Sequence, residues 1–230
     1  NDSGVGRLNS LLNKFKLASL DSITTFIFKQ SKNAVEASIK SLPTGTFLNT
    51  LKLDGFDKPI ALKAILKIKE KSISVDLSGS SPAINRGINC PLNYTIAYAS
   101  YGIKAAICPD IPNNAASLAA IQIKAPPGLI VSAENPSPVT ARHVVGQALP
   151  DLVLGCLSKA LPGKILAESA GALWTISISG AGEKRFNSLN VALGGMGARP
   201  ESDGLSTTAF PSGVGAVSIE VAESAAPVIY

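Results

Sequence analysis

The sequence predicts an α+β fold in which antiparallel strand meanders pack against helices. Three observations carry this. A helical apolar period over residues 20–42 gives way to strict alternation over 60–68 and 73–77. Turn signals at Asp54-Gly55 and Glu70-Lys71 separate runs short enough to form hairpins. Beyond residue 90, helical and strand patterns mix without a steady strand–helix–strand rhythm.

Taken in order, residues 5–42 read as two helices. The second carries Leu20, Ile23, Ile27, Val35, Ile39 and Leu42 at helical spacing, and Pro43-Thr44-Gly45 ends it. A three-stranded meander follows, from 46–53 through the alternating Ile60, Leu62, Ala64, Leu66 and Ile68 to Ile73, Val75 and Leu77. These elements form the first part, 1–78, a helical lead-in plus antiparallel meander. The second part, 79–230, reads as an α+β core with a glycine-rich site loop. It begins with a turn-rich stretch to Pro91, a helix over 92–108 and a short strand over 120–124. A second helix runs from about Ala141 to Ala160, where Pro150 must kink or divide it, with Asp151 as the N-cap of the second half. Strands are expected over 172–179, 186–193 and 216–221.

Composition narrows the function. Of 230 residues, 46% are hydrophobic and 16% charged, which leaves apolar surface for a large interface or a missing partner segment. Mean hydropathy is +0.27, yet no apolar run reaches the roughly 18–20 residues of a bilayer span. The chain has no initiator Met and no basic-then-apolar leader, and reads like an internal piece of something longer. Its formal charge of +5 lies wholly within the first 76 residues, but those lysines stand singly on amphipathic elements. With few aromatics to stack bases, they read as solvated faces and argue against nucleic acid. Cys90, Cys108 and Cys156 show no CxxC or zinc spacing, and fit buried free thiols in a reducing cytoplasm.

Chemistry-bearing residues are sparse. His143 is the only histidine, which excludes His-His metal pairs and imidazole relays; it is a general acid or base, or a backbone-bonded helix-start residue. Asp76, Ser78 and Gly79 leave a strand for a turn, where they orient a ligand or simply cap the turn. The stretch 194–213, GGMGARPESDGLSTTAFPSG, is dense in Gly and Pro and is a shaped loop, either a site or plain surface. Its GGMG lacks both the GK[ST] ending and the GxGxxG spacing of nucleotide loops. Arg199 within it suits carboxylate or phosphate oxygens.

Four segments occur in one order: DLSGSSPAINRGINCPL (76–92), PDIPNNAASL (109–118), ARHVVGQALPDLVLGCLSKALP (141–162) and FNSLNVALGGMGARPESDGLSTTAFPSG (186–213). Together with the LPTGTF turn and the meander they resemble the hydantoinase B/oxoprolinase family over nearly the whole chain. The resemblance implies a cytoplasmic hydrolytic subunit acting with an actin-like, ATP-using A subunit. ATP phosphorylates the carbonyl oxygen of a cyclic amide, and the hydrolytic subunit completes ring opening by water attack. Relatives carboxylate ketones with a metal, so the corresponding part of a ketone carboxylase is an alternative. A non-catalytic assembly domain docking the A subunit is another.

The candidate site implied is His143, Arg142 and Arg199 as catalytic residues. Asp76, Ser78, Gly79, Asn89, Gly195, Gly197 and Ser206 bind substrate, with Arg199 and the amides of 195–197 as donors to a developing anion. The family's metal motif, of the kind NDPxxGGTHLPD, has no counterpart here. No metal ligands are assigned to this chain; divalent metal and ATP belong to the complete enzyme. The chain is expected to bind neither alone, and to be inactive without the remaining segments of its own subunit. The enzyme reading requires Arg142, His143 and Arg199 to converge on one cleft.

Overall fold

A computed structural model describes residues 2–171, 173–181, 185–213 and 217–225. Two helices open it, α1 (Asp2–Lys14) and α2 (Asp21–Lys40). α1 buries no residue, and α2 buries only Ser31, Val35 and Ile39. The apolar stripe expected along all of α2 is thus buried only toward its C-terminal half; Ile23 and Ile27 are exposed.

Strands β1 (Gly45–Leu53), β2 (Ile60–Lys69) and β3 (Ser72–Asp76) form the expected antiparallel meander. Ile60, Leu62, Ala64, Leu66 and Ile68 face the core, while Lys63, Lys67 and Lys69 face water. This is the alternation of a sheet covered on one side. Helix α3 (Leu92–Ile107) and a short α4 (Ala115–Leu118) then carry the chain to β4 (Ile121–Lys124). β4 pairs parallel with β3, so one strand–helix–strand crossover sits in an otherwise antiparallel sheet. The sheet begun before residue 78 is completed from beyond it, and the core runs across that division. α4 was not legible as a helix; a capping box between Asn114 and Ser117 starts it.

Past the end of β3, two serine side chains stand in for a longer strand. Ser80 Oγ accepts from Lys63 N at 3.0 Å and Ser81 Oγ from Ala61 N at 2.9 Å, satisfying the open edge of β2.

The 141–160 segment divides as the proline requires, into α5 (His143–Gly146) and α6 (Ala148–Ala160). Pro150 lies in the first turn of α6, where its missing N–H costs nothing. α6 is buried on nearly every side and packs against β1, β2 and α3. Two glycines permit this. A Cβ on Gly102 of α3 would sit 2.8 Å from Pro150 Cα, and one on Gly155 would sit 2.0 Å from Asn49 Nδ2. Asn49 in turn donates to the Leu152 carbonyl at 3.1 Å, tying α6 to β1.

β5 (Leu173–Ala181) and β6 (Arg185–Leu193) form a separate antiparallel pair. Ala172, the expected start of the first of these strands, lies outside the described residues. The strand expected over 216–221 is corrected: Ala216 lies outside the described residues, and Ile219–Ala225 is helix α7. Alternating Val217, Ile219 and Val221 suggested a strand, but Glu220, Ala222 and Glu223 are good helix formers, and among the described residues no strand pairs with them. Exposed apolar side chains gather on α1 (Leu8, Leu11), α2 (Phe26) and the β5–β6 pair (Trp174, Leu189). No helix among the described residues is long and apolar enough to cross a membrane.

Candidate functional site

The 194–213 loop is built by backbone packing. Ala167 N donates to Ala198 O at 2.8 Å and Met196 N to Leu205 O at 3.0 Å, so three chain segments lie side by side. Its glycines are required by that closeness. Gly195 holds φ at +100°, and a Cβ on Gly197 would sit 2.0 Å from the Ala167 carbonyl oxygen. The Met196 amide, expected as an anion donor, is already committed to Leu205. Ser206 is exposed at the loop surface, where its carbonyl accepts from the Thr207 and Thr208 hydroxyls.

Where this loop meets α6 and β1 it leaves a polar cleft of about 440 Å³, lined by Asn49, Asp151, Gly155, Lys159, Glu168 and Arg199. Asp151 is its most informative group. Expected as a helix N-cap, it lies instead inside the first turn of α6, only 5% exposed. The correction has a clear cause: the chain after α6 folds back, and Ser169 reaches the carboxylate. Asp151 Oδ2 accepts from Ser169 Oγ at 2.8 Å and from Ser169 N at 3.3 Å. Oδ1 is buried without a partner. Burial raises the Asp151 pKa above the usual carboxylate range; the Ser169 bonds oppose this and Glu168 adds to it. Arg199 lies at the open side, its Nε and Nη2 donating to the Asp203 carbonyl at 3.3 and 3.2 Å. Lys159 Nζ donates to the Leu48 carbonyl.

The other sequence-derived residues lie elsewhere. Arg142 and His143 stand at the start of α5, and neither lines the Arg199 cleft. The expected convergence of Arg142, His143 and Arg199 on one cleft is therefore absent. Arg142 stacks its guanidinium over the Tyr94 ring, 5.4 Å from the centroid, and its carbonyl accepts from Cys90 Sγ at 3.2 Å. Asn89 is wholly buried. Its Oδ1 accepts from Ile84 N, and its Nδ2 donates to the carbonyls of Ile84, Arg86 and Pro138. Asp76 Oδ1 accepts from Ser78 N at 2.8 Å, and the Ser78 bonds lower its pKa. Gly79 turns the chain at φ +83°. This trio has the geometry of a capped turn.

Asp151, Glu168, Asn49 and Lys159 escaped the sequence reading as site residues. Only Asp151 left a signal, as a lone charge within the apolar run ALPDLVLGCL. The three cysteines are free and buried; burial pushes the Cys90 thiol up to about 12 and Cys156 to about 11. Among the described residues no group of three or more His, Cys, Asp and Glu side chains could hold a metal ion.

The hydantoinase B/oxoprolinase family model matches residues 1–230. The chain is 26% identical over 217 residues to a D-/L-hydantoinase B subunit of Pseudomonas sp. (strain NS671), covering 88% of this chain and 36% of that protein. It is 25% identical over 242 residues to 5-oxoprolinase of Dictyostelium discoideum, covering 100% of this chain and 18% of that one. The chain thus spans about a third or less of these relatives' length. Among solved structures, it resembles the ATP-dependent caprolactamase from Pseudomonas jessenii with a TM-score of 0.88 at 20% identity, over 99% of this chain and 42% of that one. Acetone carboxylase gives 0.80 at 15% identity, over 97% and 33%. These two likenesses establish the fold.

Proposed function

This chain belongs to the hydantoinase B/oxoprolinase family, and we propose that it forms part of the hydrolytic subunit of an ATP-dependent cyclic-amide hydrolase. It acts in the cytoplasm with an ATP-using A-type subunit and with the remaining segments of its own subunit. One observation carries the site assignment: Asp151, whose Oδ1 is buried without a hydrogen-bond partner, lines the same cleft as Arg199.

A cyclic amide offers an N–H beside a carbonyl, and this pair of side chains suits both. The raised pKa biases the Asp151 carboxyl toward its protonated form. It can hydrogen-bond the ring nitrogen and give that nitrogen a proton as water opens the C–N bond. Arg199 stabilises charge that develops on the carbonyl oxygen or on a phosphoryl group attached there. Phosphorylation belongs to the ATP-using subunit. Among the described residues no cluster suits a divalent metal; that metal, like ATP, belongs to the complete enzyme. Arg142 and His143 form a second candidate face, beside Tyr94.

The test is ATP-coupled ring opening of a hydantoin panel by the full subunit with its A-type partner. Arg199→Ala and Asp151→Asn each lower turnover about a hundredfold or more without unfolding the protein. Wild-type turnover in both variants refutes the assignment. Loss in His143→Ala as well extends the site to the start of α5. A docking role is the second reading, favoured by the separation of Arg142 and His143 from Arg199 and by the exposed Phe26, Trp174 and Leu189. It predicts that Trp174→Ser weakens assembly with the A subunit while Arg199→Ala leaves turnover intact.

A further inference from the structure

We propose that a second cavity, between α3 and the 109–113 segment, binds a small organic carboxylate through Lys104. Lysine is almost never fully buried unless paired with an opposite charge. Lys104, in the C-terminal half of α3, is only 5% exposed. Its Nζ donates to the Ile111 carbonyl and to Asn113 Oδ1, the latter at 2.7 Å. Both acceptors are neutral, and they use two of the three N–H bonds of an ammonium. Among the described residues no carboxylate forms an ion pair with it. A buried charge left in this state is costly, and an incoming anion removes the cost.

The surroundings say which anion. Lys104 lines a cavity of about 570 Å³, within the usual size range of small-molecule sites. Among the described residues it is the only charged one on that wall, so the site suits a monoanion better than a phosphate, which favours several cationic donors. Ser100 and Tyr101 are hydroxyl-bearing residues of the same wall, while Ile96, Leu118 and Ile121 supply apolar wall. A carboxylate head with an aliphatic tail of a few carbons matches that arrangement. The site lies on α3, away from the Arg199 cleft, and stands whether or not that cleft opens cyclic amides.

Hexanoate is the probe, titrated against the full chain by ligand-observed NMR, with hexan-1-ol and inorganic phosphate as controls. Hexanoate binds at least tenfold more tightly than hexan-1-ol, and phosphate does not displace it. Lys104→Met erases that preference. Because this variant also frees the 109–113 segment and can disturb folding, Ala97→Phe is the second arm. Ala97 is an exposed wall residue, and its enlargement blocks hexanoate while leaving both Nζ bonds in place. Absence of hexanoate binding, equal binding of hexan-1-ol, displacement by phosphate, or undiminished binding in Ala97→Phe overturns the proposal.

Discussion

Replacing Asn89 by Ala separates a structural role from a substrate-binding one. The Asn89 side chain accepts from Ile84 N at 2.9 Å and donates to the carbonyls of Ile84, Arg86 and Pro138, each at 2.8 Å. With the side chain wholly buried, alanine strands all four backbone groups. The two Nδ2 hydrogens are shared among three carbonyls, so the side chain makes three full hydrogen bonds, and at about 1 kcal/mol net for each the cost is about 3 kcal/mol. For a chain of this size that lowers Tm by roughly 6–12 °C. The assay is thermal and urea unfolding of wild type and Asn89→Ala, with KM measured well below the variant's Tm. Large destabilisation with an unchanged KM is expected. A Tm within about 2 °C of wild type contradicts the hydrogen-bond reasoning. If that small shift comes with a raised KM, Asn89 is a substrate ligand after all.

The Asp151 carboxyl gives a pH signature. Its folded pKa lies above the ordinary carboxyl value of 3.8, chiefly through burial. Its contribution to stability is therefore fully present below the unfolded pKa and is lost as pH rises through the raised folded one. Asp151→Asn cannot ionise, so its urea midpoint gains on the wild type as pH rises above the ordinary carboxyl value of 3.8; midpoints that stay parallel as pH rises refute this. The buried thiols make a simpler case. With its pKa at about 12, Cys90 is only about one part in ten thousand thiolate at pH 8. Native protein resists a thiol reagent at all three cysteines, and urea exposes all three. Rapid stoichiometric labelling of the native protein contradicts the burial.

Local pattern explains what the sequence made legible. Alternation places Leu62 and Leu66 inward and Lys63 and Lys67 outward whatever the rest of the chain does, because a strand has a period of two. Pro150 divides its helix for an equally local reason. The parallel seating of β4 is different. Four residues, Ile121–Lys124, carry no sign of their partner, which α3 brings to them across a long crossover. α7 shows the opposite failure, since three alternating apolar residues outweighed helix formers that, among the described residues, pair with no strand.

The candidate site fell between these cases. Arg199 was legible because a guanidinium in a glycine-rich loop is conspicuous, and those glycines proved necessary for a loop packed backbone against backbone. Its neighbours were not legible. Asn49 and Arg199 are brought together by β1, α6 and the returning 161–170 segment, and no spacing rule spans that separation. Asp151 looked like a cap because sequence shows only that a carboxylate follows a proline near a helix start. What makes it chemically distinctive is the burial of one oxygen and the arrival of Ser169 at the other. Both are tertiary facts. The same holds for Lys104, whose position on α3 is ordinary and whose burial beside neutral acceptors is not. In both places the charged side chain is visible in the sequence, and its unmet hydrogen-bonding need arises only when the chain folds around it.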